Sequence, residues 1–361
     1  MDDKIIEYKF DIHPKNVKKL HKDIWCDDLV PAVLIINKLK LEIHLSYRGS
    51  HIRDFKKKSY HVVFRRPSTY SNANEVHINA EYNDISLLRN KLSLDFFAEL
   101  GILSPRSRYI SLKLNGKNQG IYLELESVDE FFLANRGLPK GAVFYAVNDD
   151  ANFSLISDLD KGVKDSLIHG YETKCGITQD EHYLQEFIIR INTIPRAAFE
   201  KEIRQYLNVE KYLKWLTGIV LTQNFDGFVH NYALYLNAET LQFEIIPWDF
   251  DATWGRDVDG RIMPPDYVRI QGFNTLTARI LDVDTYRKQY QTLLFEVLKS
   301  QFTLEYLMPR IDETFQMIRP YVLNDPYLKN NLSSFDKEPE VISRFIVNRA
   351  HYIYQNLNQL D

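Results

Sequence analysis

Cysteine is scarce in this 361-residue chain, with only Cys26 and Cys175 present. Two distant thiols form neither a disulfide framework nor a zinc-ligand spacing, and they read as reduced, structural residues of a protein made in a cytoplasm. No apolar run approaches the roughly 18–20 residues that a membrane-spanning helix needs. The first residues, MDDKIIEYKF, are acidic and lack a long apolar stretch, which argues against a secretory signal. Neither sign of charge dominates: 45 Lys and Arg face 49 Asp and Glu, a formal net charge of −4. A generally basic nucleic-acid surface is therefore not expected, and neither nucleic acid nor membrane is an expected partner. Missing too are the G-x-S-x-G elbow of many hydrolases, the Walker-A phosphate loop and the H-E-x-x-H zinc motif. His44, His51, His61 and His77 show no ligand-like pairing. There is no internal repeat and no low-complexity tract.

What is present is an ordinary folded composition, 45% hydrophobic and 26% charged, long enough for one large domain or two lobes. The first 65 residues read as a short helix followed by strands, with residues 33–47 forming two strands about Asn37-Lys38 and residues 59–64 a third. Residues 85–100 place Leu88, Leu92, Phe96 and Leu100 on one helical face, with Asp84 or Ser86 as cap and Gly101 as stop. Residues 108–125 form a hairpin around Asn115-Gly116, and a helix is expected over 127–136. Residues 148–179 are rich in Asp, Ser, Gly and Lys and read as a solvated connection. Helical periodicity then dominates at 181–192, 209–222, 286–300, 304–323 and 339–357. The expected class is α+β, with a sheet-rich first lobe over 1–145 and a helix-rich second lobe over 146–361.

The most informative stretch is NFDGFVHNYALYLNAETLQFEIIPWDFD, residues 224–251. Asp226 lies in a loop, Asn231 follows five residues later, and a hairpin then delivers Asp249 from its second strand. Protein kinases use this order: a loop Asp orients the attacking hydroxyl, an Asn binds metal, and a strand-terminal Asp holds Mg²⁺ on the nucleotide phosphates. Here the His-Arg before the loop Asp is missing, and the strand ends in Asp-Phe-Asp. Mg²⁺ takes oxygen ligands, commonly one or two carboxylates plus phosphates, which Asp249 and Asn231 supply if the hairpin folds back beside its loop; Asp251 is a second carboxylate candidate. Each Asp taken alone is equally readable as a turn or cap residue, and it is the ordered triple that points to chemistry.

A cation on the phosphates is sought in the first half. The segment RGSHIRDFKKKSY offers Lys58 at the start of a strand, with Arg48 and Arg53 alongside; the bland reading is a solvated basic loop. Glu126, ahead of Glu124, is the carboxylate expected to fix that lysine. Tyr145 and Trp248 are candidates to sandwich an adenine, although aromatics at such positions are commonly core. His230, beside Asn231, reads as structural. Asp249-Phe-Asp251-Ala-Thr253 also matches the Asp-x-Asp-x-Thr motif of haloacid-dehalogenase-like phosphatases. Those enzymes continue into an alternating strand–helix domain, whereas a helical tail is expected here.

The segments YRGSHIRDFKKKSYH (47–61), LNGKNQGIYLELESVDE (114–130), NFDGFVHNYALY (224–235) and IPWDFDATWGRD (246–257) resemble the CotH family of spore-coat protein kinases of endospore-forming bacteria, over nearly the whole chain. The resemblance implies an atypical two-lobed kinase-like fold that transfers the γ-phosphoryl of ATP, with Mg²⁺ or Mn²⁺, to serines of spore coat proteins. It implies synthesis in the mother-cell cytoplasm and incorporation into the coat. It puts the loop Asp on Asp226, the metal ligands on Asp249 and Asn231, and the phosphate lysine on Lys58 or its neighbour Lys57, with Glu126 as partner. The different-class alternative is a non-catalytic coat scaffold.

Overall fold

A computed structural model describes residues 5–65 and 72–361. The chain is mixed α and β, sheet-rich in its first part and helical toward its end. It divides into two compact units, one of residues 1–91, 106–127 and 309–340, the other of 92–105, 128–308 and 341–361.

The first unit contains a closed barrel of strands β1 (Ile6–Asp11), β2 (Val30–Ile36), β3 (Leu39–Tyr47), β4 (Tyr60–Phe64), β5 (Glu75–Asn79), β6 (Ser107–Leu114) and β7 (Lys117–Glu126), in the order β1-β2-β3-β4-β5-β7-β6. Neighbours are antiparallel except where β1 closes the ring against β6 in parallel, Ile6 opposite Ile110. Period-two alternation drives this: Val30, Leu34, Val62 and Phe64 point into the core while their neighbours are more exposed. Each such side chain contributes about 1.5–3 kcal/mol on burial. Closure removes the open sheet edges that would otherwise invite aggregation. Helix α1 (Pro14–Lys22) follows β1. The expected opening helix is thus preceded by a strand, because Tyr8 and Phe10 alternate inward.

Turn chemistry sets the hairpins. Asn37 adopts a left-handed φ of 55° between β2 and β3, and Asn115 (47°) with Gly116 (77°) joins β6 to β7, both positive as a type I′ turn requires. Helix α2 (Arg89–Glu99) starts later than its periodicity predicts, because Leu87 has φ 59° and residues 85–88 form a turn instead. The Asp84 carboxylate accepts the N–H groups of Ser86 and Arg89, each at 2.9 Å, and does the capping. Gly101 ends the helix as expected, its N–H on the Ala98 carbonyl and that of Ile102 on Phe97.

The second unit is built on an antiparallel sheet in the order β11-β10-β8-β9, with β8 (Gly141–Ala146), β9 (Tyr171–Cys175), β10 (Tyr232–Asn237) and β11 (Phe243–Pro247). Its helices include α3 (Glu130–Ala134), α4 (Thr178–Thr193), α5 (Arg196–Glu202), α6 (Val209–Thr222), α7 (Thr275–Leu281) and α8 (Asp284–Ser300); α9 (Leu304–Val322), α10 (Leu332–Phe335) and α11 (Glu338–Asn356) complete the chain. The division differs from the expected boundary at 145. Strand β8 pairs with β10 and so belongs to the second unit, and residues 309–340 return to the barrel unit. The expected helix over 127–136 is confined to α3, where the Asp129 carboxylate caps the N–H groups of Phe131 and Phe132.

Nor is the polar stretch 148–179 a solvated linker. It carries β9, and its Asp150, Asn152 and Ser157 are buried. The Lys164 ammonium is bonded to Asn152 Oδ1 at 2.7 Å and to the Asp150 carbonyl, so the segment satisfies its polar groups internally.

Candidate active site

Helix α6 is apolar on nearly every face and deeply buried, so its ends are held by the core rather than by solvent. Asn208 caps its start by accepting the Lys211 N–H, and Gln223 ends it in a left-handed conformation. The chain then turns immediately into a short 3₁₀ segment, Asp226–Phe228. The Asn224 side chain accepts the Gly227 N–H at 2.8 Å, and the Asp226 carbonyl accepts the N–H groups of Val229 and His230 at 3.0 and 2.8 Å. Asp226 is thus placed on a rigid, half-buried turn. Tyr267 lies near it: burial first, then the Asp226 and Asp257 carboxylates, push the Tyr267 hydroxyl pKa up.

The β10–β11 hairpin brings the ends of its two strands together. Tyr232 is opposite Pro247, and the Trp248 N–H reaches the Asn231 carbonyl at 3.2 Å, so Asn231 and Asp249 emerge at the same end of the hairpin. Both take left-handed backbones, φ 56° and 58°, which Asn and Asp tolerate better than other non-glycine residues. Both side chains are half-exposed, and neither makes a hydrogen bond among the described residues. Phe250, between Asp249 and Asp251, is fully buried edge-on against Phe97 at 5.0 Å, which leaves the two carboxylates half-exposed. Trp254 anchors the next turn with φ 49°, its indole N–H on Ser93 Oγ at 2.9 Å. A bulky residue at positive φ is a strained position, and such positions cluster at functional sites.

The phosphatase motif fails structurally. Thr253 is fully buried and its hydroxyl donates to the Phe250 carbonyl at 2.8 Å, away from the exposed carboxylates. The elements named after β11 are all helices, not an alternating parallel sheet. The His230 Nδ1 lies 2.8 Å from Asp149 Oδ1. Among the described residues no group of three or more His, Cys, Asp or Glu could hold a metal ion. A divalent cation at the hairpin end would therefore depend on the Asn231 amide and on ligand oxygens as well as carboxylate. That donor set suits a hard ion such as Mg²⁺.

Tyr145 and Trp248 do not form an adenine slot. Their rings meet edge-on with centroids 5.0 Å apart, inside an apolar cluster with Val128, Phe132 and Ile246. The Tyr145 oxygen accepts the Val128 N–H at 2.8 Å. A base between the rings would need two parallel faces about 7 Å apart, roughly twice the usual contact distance.

In the barrel unit, Lys58 is half-buried, bonded to the Arg53 carbonyl and 5.8 Å from the centre of the Tyr47 ring. Arg48 donates to Asn79, and Arg53 is tied to Asp27 at 2.5 Å and the Gly49 carbonyl at 2.6 Å. Glu126 accepts the Arg106 N–H at 2.9 Å. Register separates it from Lys58: Tyr60 aligns with Ile78 and Ile78 with Glu124, so Lys58 falls level with Tyr122. Four residues of strand, about 13 Å, lie between that level and Glu126. The expected Lys58–Glu126 pair is not brought together. Glu124 instead takes Tyr8 and Arg108, with burial raising its carboxyl pKa.

The lysine that does have a carboxylate is Lys57, fully buried with its ammonium 2.9 Å from Asp325 Oδ2 and 2.5 Å from the Ile121 carbonyl. Asp325 was invisible as a partner because it lies 268 residues away. The available signal was Gly120 within strand β7: a Cβ there would sit 1.8 Å from Asp325 Oδ2.

The chain is 58% identical to the inner spore coat protein H of Bacillus subtilis (strain 168) over 353 residues, 98% of each chain. It is 28% identical over 290 residues to an inner spore coat protein H-like protein of the same organism, 78% of this chain and 80% of the other. Among solved structures, the Helicobacter pylori proinflammatory kinase CtkA aligns over 92% of this chain and 97% of its own, at 11% identity and a TM-score of 0.30. The family model described as CotH kinase protein matches residues 45–353, and the chain belongs to that family.

Proposed function

We propose that this chain is an atypical kinase-like enzyme that transfers the γ-phosphoryl of ATP to serine hydroxyls of spore coat proteins, and that it acts in the coat after synthesis in the mother cell. The observation that carries the reading is the hairpin register that leaves Asn231 and Asp249 at the same end of the hairpin, with Asp226 on the turn five residues before Asn231. Family membership and the spore-coat relative support the setting.

In this reading Asn231 and Asp249 hold Mg²⁺ or Mn²⁺ together with nucleotide oxygens, with Asp251 as the accessory carboxylate. The metal, when bound, neutralises phosphate charge. Asp226 accepts a hydrogen bond from the incoming serine hydroxyl, orients it for in-line attack and takes its proton. Their shared attachment to the α6 terminus and the hairpin keeps this arrangement preorganised, so little reorganisation accompanies the reaction.

The test is transfer of labelled γ-phosphate from ATP to a synthetic serine-rich coat-protein segment, with and without Mg²⁺. Asp226→Ala should lower kcat by at least about 10³-fold while MgATP still binds. Asp249→Asn should weaken MgATP binding about 10- to 100-fold, and Asp251→Asn should do so less. Absence of both transfer and MgATP binding in the wild type would refute the enzyme reading in favour of a coat scaffold.

A further inference from the structure

Gln223 stands where a helix ends in the left-handed conformation, a position that normally falls to Gly or Asn. Its φ is 59°, and it is fully buried. A glutamine gains nothing from that backbone, so its side chain must account for its presence. The amide uses both ends on one short piece of chain: Nε2 donates to the Pro264 carbonyl at 3.2 Å, and Oε1 accepts the Val268 N–H at 3.1 Å. The Pro264 carbonyl also accepts the Tyr267 N–H at 3.2 Å. The amide therefore spans a closed turn, 264–267, from one end to the other.

That turn borders the reactive carboxylate. Tyr267 packs edge-on against Phe225 with centroids 6.2 Å apart, and Phe225 immediately precedes Asp226. Two other side chains fasten the surroundings independently of Gln223. Arg349 donates to the carbonyls of Val220 and Pro265, and Asn274 donates to the Phe228 carbonyl at 2.8 Å. Residues 255–274 contain no helix or strand of their own, apart from one isolated bridge between Arg256 and Ile262, so such side-chain ties work beside local turn bonds such as Met263 N–H to the Gly255 carbonyl.

We infer that Gln223 is a positioning residue for phosphoryl transfer, a splint that fixes the 264–267 turn beside Asp226 and so sets the acceptor side of the site. This rests on the kinase reading above. It assigns Gln223 no contact with nucleotide, metal or acceptor. Its removal should impair orientation of the hydroxyl without touching the Asn231–Asp249 end.

Gln223→Asn separates the two roles of the residue. Asparagine favours the left-handed backbone, so the helix end is preserved, but it is one methylene too short to reach Pro264 and Val268 together. Full-length wild type and variant are compared by amide hydrogen exchange, by MgATP binding, and by transfer to the serine-rich peptide, with Asp226→Ala as the reference for lost chemistry. The expected result is faster exchange at 226–230 and 264–268 together, MgATP affinity within about twofold of wild type, and kcat reduced about 10- to 100-fold. Gln223→Glu, which keeps the acceptor for Val268, should recover part of the exchange protection at 268. Faster exchange with kcat unchanged, while Asp226→Ala abolishes transfer, overturns the positioning role. Unchanged exchange at 226–230 overturns the splint itself. If wild type and Asp226→Ala are equally inactive, the kinase reading fails, and with it the role of Gln223 in transfer.

Discussion

Asp325→Ala is the substitution whose consequence the geometry defines most sharply. Lys57 and Asp325 are both inaccessible to solvent, with the ammonium 2.9 Å from Oδ2. The carboxylate also accepts the N–H groups of Ile121 at 3.1 Å, Tyr327 at 2.8 Å and Leu328 at 3.3 Å. Alanine would leave three amides without that acceptor, and would leave a buried ammonium with the Ile121 carbonyl and the face of Tyr122, 4.6 Å away. Breaking a buried pair from one side costs about 3–5 kcal/mol, or roughly 6–20 °C in Tm at 2–4 °C per kcal/mol. The pH dependence has a definite sign. Burial lowers the Lys57 pKa by more than Asp325 and Glu81 raise it, so the folded value lies below the ordinary 10.5. Between the folded and unfolded values the unfolded chain binds more protons, and stability rises with pH. Losing Asp325 depresses the folded value further and widens that window. Urea unfolding of wild type, Asp325→Ala, Lys57→Met and the double variant, at pH 7 and pH 9.5, measures all of this. The gap between Asp325→Ala and wild type should narrow at the higher pH, and the double variant should be more stable than Asp325→Ala alone. A loss below about 1 kcal/mol, or a gap that widens with pH, would refute the reasoning.

Two further outcomes follow from the same coordinates. Gly116 and Gly120 both have positive φ, 77° and 91°, but a Cβ at Gly116 meets nothing within 4 Å while one at Gly120 strikes Asp325. Thermal unfolding should show Gly116→Ala losing only about 1 kcal/mol from backbone strain, and Gly120→Ala losing more than about 3 kcal/mol. Arg349→Met strips the buried donors from the Val220 and Pro265 carbonyls and should cost about 2 kcal/mol in urea unfolding, with faster hydrogen exchange over 264–268.

Much of the second half was legible because its signals are local. The run 209–222 is bounded by Asn208 and a left-handed Gln223, and the helix occupies those limits. The continuous apolar runs of β10 and β11 likewise mark the hairpin that leaves Asn231 and Asp249 at one end. What escaped was non-local. Lys58 with Glu126 was a reasonable pairing by strand periodicity, but only the order of β4, β5 and β7 reveals that they lie at different levels of the sheet. Tyr145 and Trp248 were read as a sandwich for adenine, but their mutual packing depends on β8 joining β10, a pairing between segments nearly ninety residues apart. The opening strand was missed because its partner in parallel, β6, is a hundred residues downstream.

The return of residues 309–340 to the barrel unit imposes an order on the making of this protein. The strands that form the ring leave the ribosome early, and Lys57 is buried among them, but the carboxylate that neutralises it is encoded 268 residues later. The ring is complete only when β7 ends at Glu126, so 199 residues remain before Asp325, and at about 5–20 residues per second that interval is roughly 10–40 s. During that time the nascent barrel carries an uncompensated ammonium beside Tyr122 and a void over Gly120. Final consolidation of the first unit therefore waits until residues 309–340 have been made, long after its strands.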